Sequence, residues 1–203
     1  MEIVIELPSA KALRAEMKAV EKETQTAVQR AIKDTASRAP AQVTKAVTAV
    51  YGIKSSEVTA AGKAAKGGAK TVGKIKVSGV TAETLHLIYS GRPLTLTHFS
   101  MTPKSRPEGN RKYTVKASVM KGKKTAYPGA FIAPGHGGVV LAFERKDKSG
   151  KETKRYPIQA IKRTSIPQMI ESEEVSTSIK EKIDAILVER INHHTERALQ
   201  KRG

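Results

Sequence analysis

The sequence has no cysteine and no tryptophan, and its aromatic residues are limited to three Phe and five Tyr among 203 residues. Without cysteine the chain can form neither a disulfide nor a thiolate zinc site, and cysteine-based catalysis is excluded. No apolar run approaches the about 18 residues that a membrane-spanning helix needs. Residues 1–8 lack the basic start and long apolar segment of a signal peptide. We therefore expect a soluble protein with no membrane partner and a modest core of Val, Ile, Leu and Ala.

Acidic residues are scarce in the middle of the chain. The whole chain carries 37 Lys and Arg against 19 Asp and Glu, a formal net charge of +18. Residues 91–165 hold 17 basic and 4 acidic residues, a net charge of +13, whereas residues 166–203 have a net charge of −1. Charge concentrated in this way attracts polyanions. Two interpretations stay open: the basic loops keep an assembly subunit soluble, or they contact nucleic acid or an acidic partner protein.

The N-terminal part has a short strand pattern followed by a helical one. Residues 2–7 alternate apolar and polar side chains, which predicts a strand. From Ser9, a suitable N-cap, apolar residues recur at three- and four-residue steps and predict a long amphipathic helix. Because proline lacks an amide donor, we expect this helix to kink or end at Ala39-Pro40. Helical spacing then continues to Gly52, which predicts a C-terminal stop.

The rest of the chain alternates between flexible, extended and helical patterns. We predict a short helix from Ser55 to Lys66, a flexible connector from Ala60 to Gly73, and a mobile loop from Thr102 to Lys112. A C-terminal helix is predicted from an apolar stripe between Val175 and Ile191, with Ser172 as its cap. Period-two runs predict an antiparallel sheet with one covered face; they occupy residues 74–78, 84–89, 94–97, 113–119 and 139–144.

These patterns together predict one α+β domain over residues 1–203, with an antiparallel β-sheet packed by a long N-terminal helix and a C-terminal helix. Its parts are a helical segment (1–60), the connector (61–73), the sheet region with mobile basic loops (74–165) and the terminal helix (166–203). Both helices are expected to cover one face of the sheet.

The sequence contains no recognisable arrangement for catalysis or metal binding. His86 and His98 could meet across neighbouring strands, but no carboxylate lies in a matching context, and His193-His194 point about 100° apart on a helix. We therefore assign the five histidines surface or packing roles. Gly135-His-Gly-Gly is interpreted either as an anion-binding nest or, more simply, as a hairpin turn. We predict no catalytic residue, no metal site, no cofactor and no enzymatic activity.

Two basic loops at strand ends are the functional candidates. We predict that their side chains face DNA or its phosphates in a channel lumen; they are Lys121, Lys123, Lys124, Arg145, Lys146 and Lys148. Aromatic residues are sparse near these loops, so contact with phosphates is favoured over base stacking, and sequence would not be read.

Residues 128–170 carry a family resemblance. Gly129-Ala-Phe-Ile-Ala opens a hairpin, Arg155-Tyr-Pro-Ile leads out of it, and Ser165-Ile-Pro-Gln-Met precedes the terminal helix. This stretch resembles the minor tail protein Z, or tail-completion, family of long-tailed bacteriophages and prophages.

The resemblance implies a structural protein of the virion tail. It implies a ring subunit, a hexamer being one candidate, at the head-proximal tail end, where the protein is needed for head–tail joining. The implied partners are other copies of the chain, other tail or neck proteins, and the end of the packaged DNA. The implied location is the virion tail, reached by assembly in the host bacterial cytoplasm.

Two rival functions stay open. The charge alone also fits a free-standing nucleic-acid-binding protein without sequence specificity. A toxin or small enzyme would require a buried polar site, which the sequence does not indicate.

Overall fold

The computed structural model describes residues 2–6, 22–60, 73–80, 84–109, 112–146 and 157–200. These residues form four α-helices, two 3₁₀ turns and nine short strands. The helices are α1 (Lys22–Val50), α2 (Ser55–Ala60), α3 (Ile166–Glu171) and α4 (Glu173–Gln200). No helix in the described ranges is long and apolar enough to cross a membrane.

The strands are divided among three antiparallel three-stranded sheets. The first consists of β1 (Glu2–Glu6), β2 (Gly73–Val80) and β3 (Thr84–Gly91), with β3 in the centre. The second is β4–β5–β6, from Ser100–Thr102, Val115–Ser118 and Thr125–Tyr127. The third is β7–β8–β9, from Phe131–Pro134, Val140–Arg145 and Ile158–Ala160. The α+β class and the antiparallel pairing are confirmed, but the strands do not form one continuous sheet.

The two long helices pack against each other around the first hydrophobic core. The predicted apolar stripe of α4 is confirmed, because Val175, Ile179 and Ile183 are buried there. The stripe of α1 is confirmed from Ala27 onward, while the predicted start at Ser9 lies outside the described residues.

The helix α1 runs through Pro40 and does not end there. Proline removes one amide donor, yet Ala39 and Val43 on either side are fully buried. Packing on both sides therefore holds the helix together across the missing hydrogen bond. Thr44 Oγ1 also donates to the Pro40 carbonyl oxygen at 3.0 Å.

Gly52 follows the end of α1 as predicted, but its small size serves a close backbone approach. A Cβ atom at this position would lie 2.1 Å from the carbonyl oxygen of Ser118. The Gly52 amide donates to the Val119 carbonyl at 2.9 Å. Glycine thus lets the chain after α1 lie directly against the end of β5.

The second core lies between the second and third sheets. Buried side chains from both sheets meet there, including Val115, Ile132 and Ile161. The Ile161 amide donates to the Ala142 carbonyl at 2.9 Å, and the Tyr113 hydroxyl accepts from the Ile132 amide at 2.9 Å.

The predicted strand at residues 94–97 is wrong, because Leu96–His98 forms a 3₁₀ turn. Leu94 and Leu96 are both buried, which imitates the alternation of a strand. They belong to different cores, Leu94 to the first and Leu96 to the second. Alternate residues of one strand would face the same side. The period-two pattern here therefore arises because the chain passes from the first core to the second.

The segment after Ser165 is itself a helix, α3, and does not merely precede the terminal helix. Ser165 and Gln168 form a capping box: the Ser165 amide donates to Gln168 Oε1 at 2.9 Å, and the Gln168 amide donates to Ser165 Oγ at 3.4 Å. Ser172, the predicted cap of α4, donates its hydroxyl to the Met169 carbonyl at 2.7 Å. The hydroxyl therefore binds the end of α3.

The predictions for the first strand, the hairpin, the connector and the loop after Thr102 have different outcomes. The first strand and the hairpin after Gly129 are confirmed by β1 and by the β7–β8 pairing. The predicted connector lies outside the described residues except at its two ends. Thr102 ends β4, and the mobility predicted for the loop that follows it stays a prediction.

Candidate functional site

The basic residues of the central region lie on the protein surface. Within the described part of residues 91–165 there are 12 Lys and Arg and two Asp and Glu, Glu108 and Glu144. Ten of the basic side chains are exposed, while Arg145 and Lys146 are half-buried. The excess positive charge is therefore available to a partner.

Three lysines from separate parts of the chain line one cleft, which we call the lysine cleft. Lys54 follows α1, Lys104 follows β4, and Lys124 precedes β6. The cleft has a volume of about 530 Å³, and no carboxylate of a described residue lines it. Its wall also carries polar groups from a short stretch of chain, namely Thr97, His98, Ser100 and Thr102.

His98 forms one side of the lysine cleft and is held by an acidic partner. Its Nδ1 atom lies 3.2 Å from Glu57 Oε2, a carboxylate of α2. This contact connects the 3₁₀ turn at Leu96–His98 with the helix that follows Lys54. The cleft thus has a fixed wall, while its three lysines are exposed.

A second basic pocket, which we call the arginine groove, lies at the end of β8. It has a volume of about 430 Å³ and is lined by Arg145, Lys146 and Arg163, with Tyr127 and Ile161 among its other lining residues. The groove also contains one carboxylate, Glu144, whose Oε2 lies 3.0 Å from Lys146 Nζ.

Both arginines of the groove lie over aromatic rings. The Arg145 guanidinium carbon is 4.4 Å from the centroid of Phe131, and that of Arg163 is 4.8 Å from the centroid of Tyr127. Phe131 in turn stacks on Phe143, with 5.9 Å between ring centroids. Stacking of this kind orients a guanidinium while its N–H groups remain able to bind an anion.

A model of the family described as prophage minor tail protein Z (GPZ) matches residues 9–202 of the chain. The chain belongs to the prophage minor tail protein Z family. The resemblance noticed in residues 128–170 therefore extends over nearly the whole sequence, and the protein is a structural component of a phage tail. Searches of curated proteins and of solved structures gave no significant match.

The structure does not bring the predicted DNA-facing residues of this tail protein into one site. Lys124 lies in the lysine cleft, and Arg145 and Lys146 lie in the arginine groove. Lys123 is exposed in the turn before β6, and Lys148 lies outside the described residues.

Lys121 is bound to the C-terminus of α1. Its side-chain amine donates to the Thr48 carbonyl at 3.3 Å, and its amide donates to the Val50 carbonyl at 2.8 Å. A cation is favoured at this negative end of the helix dipole. Lys121 therefore has a structural role in joining α1 to the second sheet.

Sequence reasoning missed three residues of the two basic pockets: Lys54, Lys104 and Arg163. Lys54 and Lys104 are far from Lys124 in the sequence, and no local motif connects them. Arg163 lies within the stretch used for the family resemblance, two residues before Ser165. Its only sequence signal was membership of the basic region, which did not separate it from its neighbours.

The histidines of this tail protein have packing and surface positions in the described residues. His194 Nε2 lies 2.9 Å from Asp34 Oδ2 and connects α4 to α1. The hydrogen bond with His194 lowers the pKa of Asp34, partial burial opposes the shift, and Arg38 and Arg190 add to it. Within the described ranges no three His, Asp or Glu side chains are grouped as metal ligands.

The remaining polar features also have structural explanations. The turn at His136–Gly138 connects β7 to β8, so the hairpin interpretation of this glycine-rich segment is confirmed. Gly137 and Gly138 both have a φ of 75°, which favours glycine. Burial raises the pKa of Tyr89, whose hydroxyl has no hydrogen-bond partner among the described residues.

Proposed function

We propose that this minor tail protein is a ring subunit at the head-proximal end of the tail, needed for head–tail joining, and that its lysine cleft contacts the end of the packaged DNA. Its other partners are further copies of the chain and neighbouring tail or neck proteins. The observation that supports the DNA contact is the convergence of Lys54, Lys104 and Lys124 on a cleft that no described carboxylate lines.

The composition of the lysine cleft favours phosphate over bases. Lysine ammonium groups are compact, hydrated charges that bind phosphate without fixing its orientation. Two rings belong to the described lining: Phe99 is buried in the first core, and His98 is half-buried against Glu57. Base stacking therefore has no exposed platform here, and the contact would not depend on sequence.

The predicted DNA-facing set is divided by this proposal. Lys123 and Lys124 keep the proposed role, and Lys54 and Lys104 join them. Lys121 is bound to α1. Arg145 and Lys146 lie in the arginine groove, for which a different partner is argued below.

The test of the DNA contact is a charge reversal of the lysine cleft, Lys54→Glu with Lys104→Glu and Lys124→Glu. We expect a large fall in infectious particles while the circular dichroism spectrum stays unchanged. The matched control is Lys33→Glu with Lys45→Glu and Lys182→Glu, which changes the net charge equally at exposed helical positions. An unchanged particle yield from the cleft variant would overturn the DNA assignment.

The ring position is tested separately with particles that lack the protein. We expect negative-stain microscopy to find unjoined heads and tails. Normal virions from such a strain would refute the proposed role in joining. The rival function, a free-standing DNA-binding protein, has no support from the family match, since that family is a tail protein family.

A further inference from the structure

The arginine groove is built differently from a site that attracts polyanions by charge alone. Its two guanidinium groups lie over Phe131 and Tyr127, and this stacking favours one orientation of each group before any partner arrives. A fixed, planar guanidinium can donate two parallel hydrogen bonds to one carboxylate. Arginine and tyrosine are also the residues most often responsible for affinity at protein–protein interfaces.

The chain offers one acidic segment that matches the groove. Glu171, Glu173 and Glu174 lie at the junction of α3 and α4, are all exposed, and form no ion pair in the described part of the chain. No Lys or Arg occurs between Arg163 and Lys180. This segment is therefore the most concentrated negative charge among the described residues.

Helix stability explains only part of this acidic segment. Glu173 and Glu174 lie in the first turn of α4, where carboxylates favour the helix dipole. Glu171 is the last residue of α3, where the dipole disfavours a carboxylate. This carboxylate therefore adds no stability to α3, and its exposed position leaves it available to an external cationic partner.

We infer that the arginine groove of one copy binds the acidic segment Glu171–Glu174 of a second copy, so that Arg145 and Arg163 each face a carboxylate. The described residues show no ion pair between the groove and the acidic segment within one chain, which leaves both charges available between copies. Because the two surfaces differ, the contact is heterologous, and repetition of such a contact closes a ring when the rotation allows it.

This inference rests on the proposed ring function and specifies which surfaces join the subunits. Glu144 reduces the positive charge of the groove, but it is paired with Lys146. The two arginines, each stacked on its ring, therefore remain as the groups that receive carboxylates.

The test measures self-association of the full chain by sedimentation equilibrium with three variants. The first reverses the groove (Arg145→Glu with Arg163→Glu), the second reverses the acidic segment (Glu173→Arg with Glu174→Arg), and the third combines both. We expect each single reversal to weaken self-association by about 30-fold or more, as for hot-spot residues. The combined variant should recover much of the loss, because the charges are then exchanged between the two surfaces.

Two controls keep this test decisive if the groove variant loses its fold. The acidic-segment variant changes exposed side chains only, and an unchanged circular dichroism spectrum would show that α4 persists without its two dipole-stabilising carboxylates. The pair Lys33→Glu with Lys182→Glu matches the charge change of the groove variant at distant exposed positions, and it should leave self-association within about twofold of the native chain.

Several results would overturn the inference. They are a native chain that stays monomeric at high concentration, reversals that leave self-association unchanged, and a combined variant without recovery. Weaker binding of a DNA duplex by the groove variant, with self-association unaffected, would instead assign the groove to phosphate. Groove-dependent rings together with normal virions from a strain lacking the protein would refute the joining function and leave the inference intact.

Discussion

The lysine cleft and the arginine groove have the same sign of charge and a different construction. The cleft collects three exposed lysines from distant segments around a wall of hydroxyl groups. The groove holds two arginines on aromatic rings, next to an internal Lys146–Glu144 pair. A hydrated, mobile charge suits a partner of variable shape, whereas an oriented one suits a partner of fixed shape. Because the two sites share their charge but differ in the mobility of their basic groups, net charge alone does not identify the partner of a basic surface.

The largest effect is expected from removing a buried side chain that supports the arginine groove and not the lysine cleft. Ile161 is buried in the second core and also lines the groove. We expect Ile161→Ala to lower the free energy of unfolding by about 2–5 kcal/mol and to weaken self-association, because a cavity replaces the side chain. Urea denaturation measures the first effect and sedimentation the second.

The control for this core variant is Ile32→Ala in the first core, on α1. It should cost a similar free energy of unfolding and leave the self-association of the folded protein close to native. Equal weakening of self-association by both variants would show that the groove responds to general stability and has no specific dependence on its own core.

Neutralising the lysine cleft should change the salt dependence of DNA binding. Each phosphate contact contributes about 0.9 to the slope of log K against log salt concentration. We expect Lys54→Gln with Lys104→Gln and Lys124→Gln to reduce that slope by up to about 3, since three contacts are lost. Fluorescence anisotropy with a short duplex provides the measurement. The paired change Arg145→Gln with Arg163→Gln should leave the slope nearly unchanged. An equal reduction would show that the arginine groove binds DNA phosphate as the lysine cleft does.

Removing the Tyr127 ring tests whether stacking of Arg163 matters for self-association. Tyr127→Leu keeps an apolar side chain but deletes the ring beneath Arg163. We expect self-association to weaken by about 0.5–2 kcal/mol, the range of cation–π contributions. DNA binding at the lysine cleft should not change. If Tyr127→Leu leaves self-association at the native level, orientation by the ring is not important for docking.

The capping box of α3 gives a smaller expected effect. Ser165→Ala removes the side-chain acceptor of the Gln168 amide, and we expect a loss of about 1 kcal/mol in the free energy of unfolding. Thermal denaturation measures it, with Thr164→Ala as the neighbouring control. A shift no larger than that of the control would show that the box contributes little to α3.

The His194–Asp34 pair provides the smallest effect and belongs to neither basic site. The pKa of Asp34 is lowered in the folded state by the hydrogen bond with His194, relative to the ordinary value of 3.8. Its stabilising contribution is therefore present above about pH 4 and is lost as pH falls through the lower folded value. Asp34→Asn should remove this part of the acid dependence of unfolding, and the carboxyl is exposed enough to keep the effect small. An unchanged acid dependence in the variant would contradict the assignment.

The regular elements were predictable because their signals are local. The stripe from Val175 to Ile191 and the alternation of the β7–β8 hairpin each fall within a few turns or a few residues of chain. The sequence left open whether α1 kinks or ends at Pro40, because the packing of Ala39 and Val43 that lets the helix continue is not visible in the local sequence. The capping box at Ser165 was readable from its Ser-x-x-Gln spacing and was missed.

The sequence by itself determined the helical and extended segments, the concentration of basic residues between positions 91 and 165, and membership of a tail protein family. Only the tertiary structure decided that the strands form three sheets around two cores, that Lys124 lies in a different pocket from Arg145 and Lys146, and that Lys121 binds a helix end. It also decided that Lys54 and Lys104 join Lys124, and that Arg163 lies over Tyr127. The reason is physical: periodicity and charge are properties of neighbouring residues, whereas clefts and stacked rings arise between segments that only folding brings together.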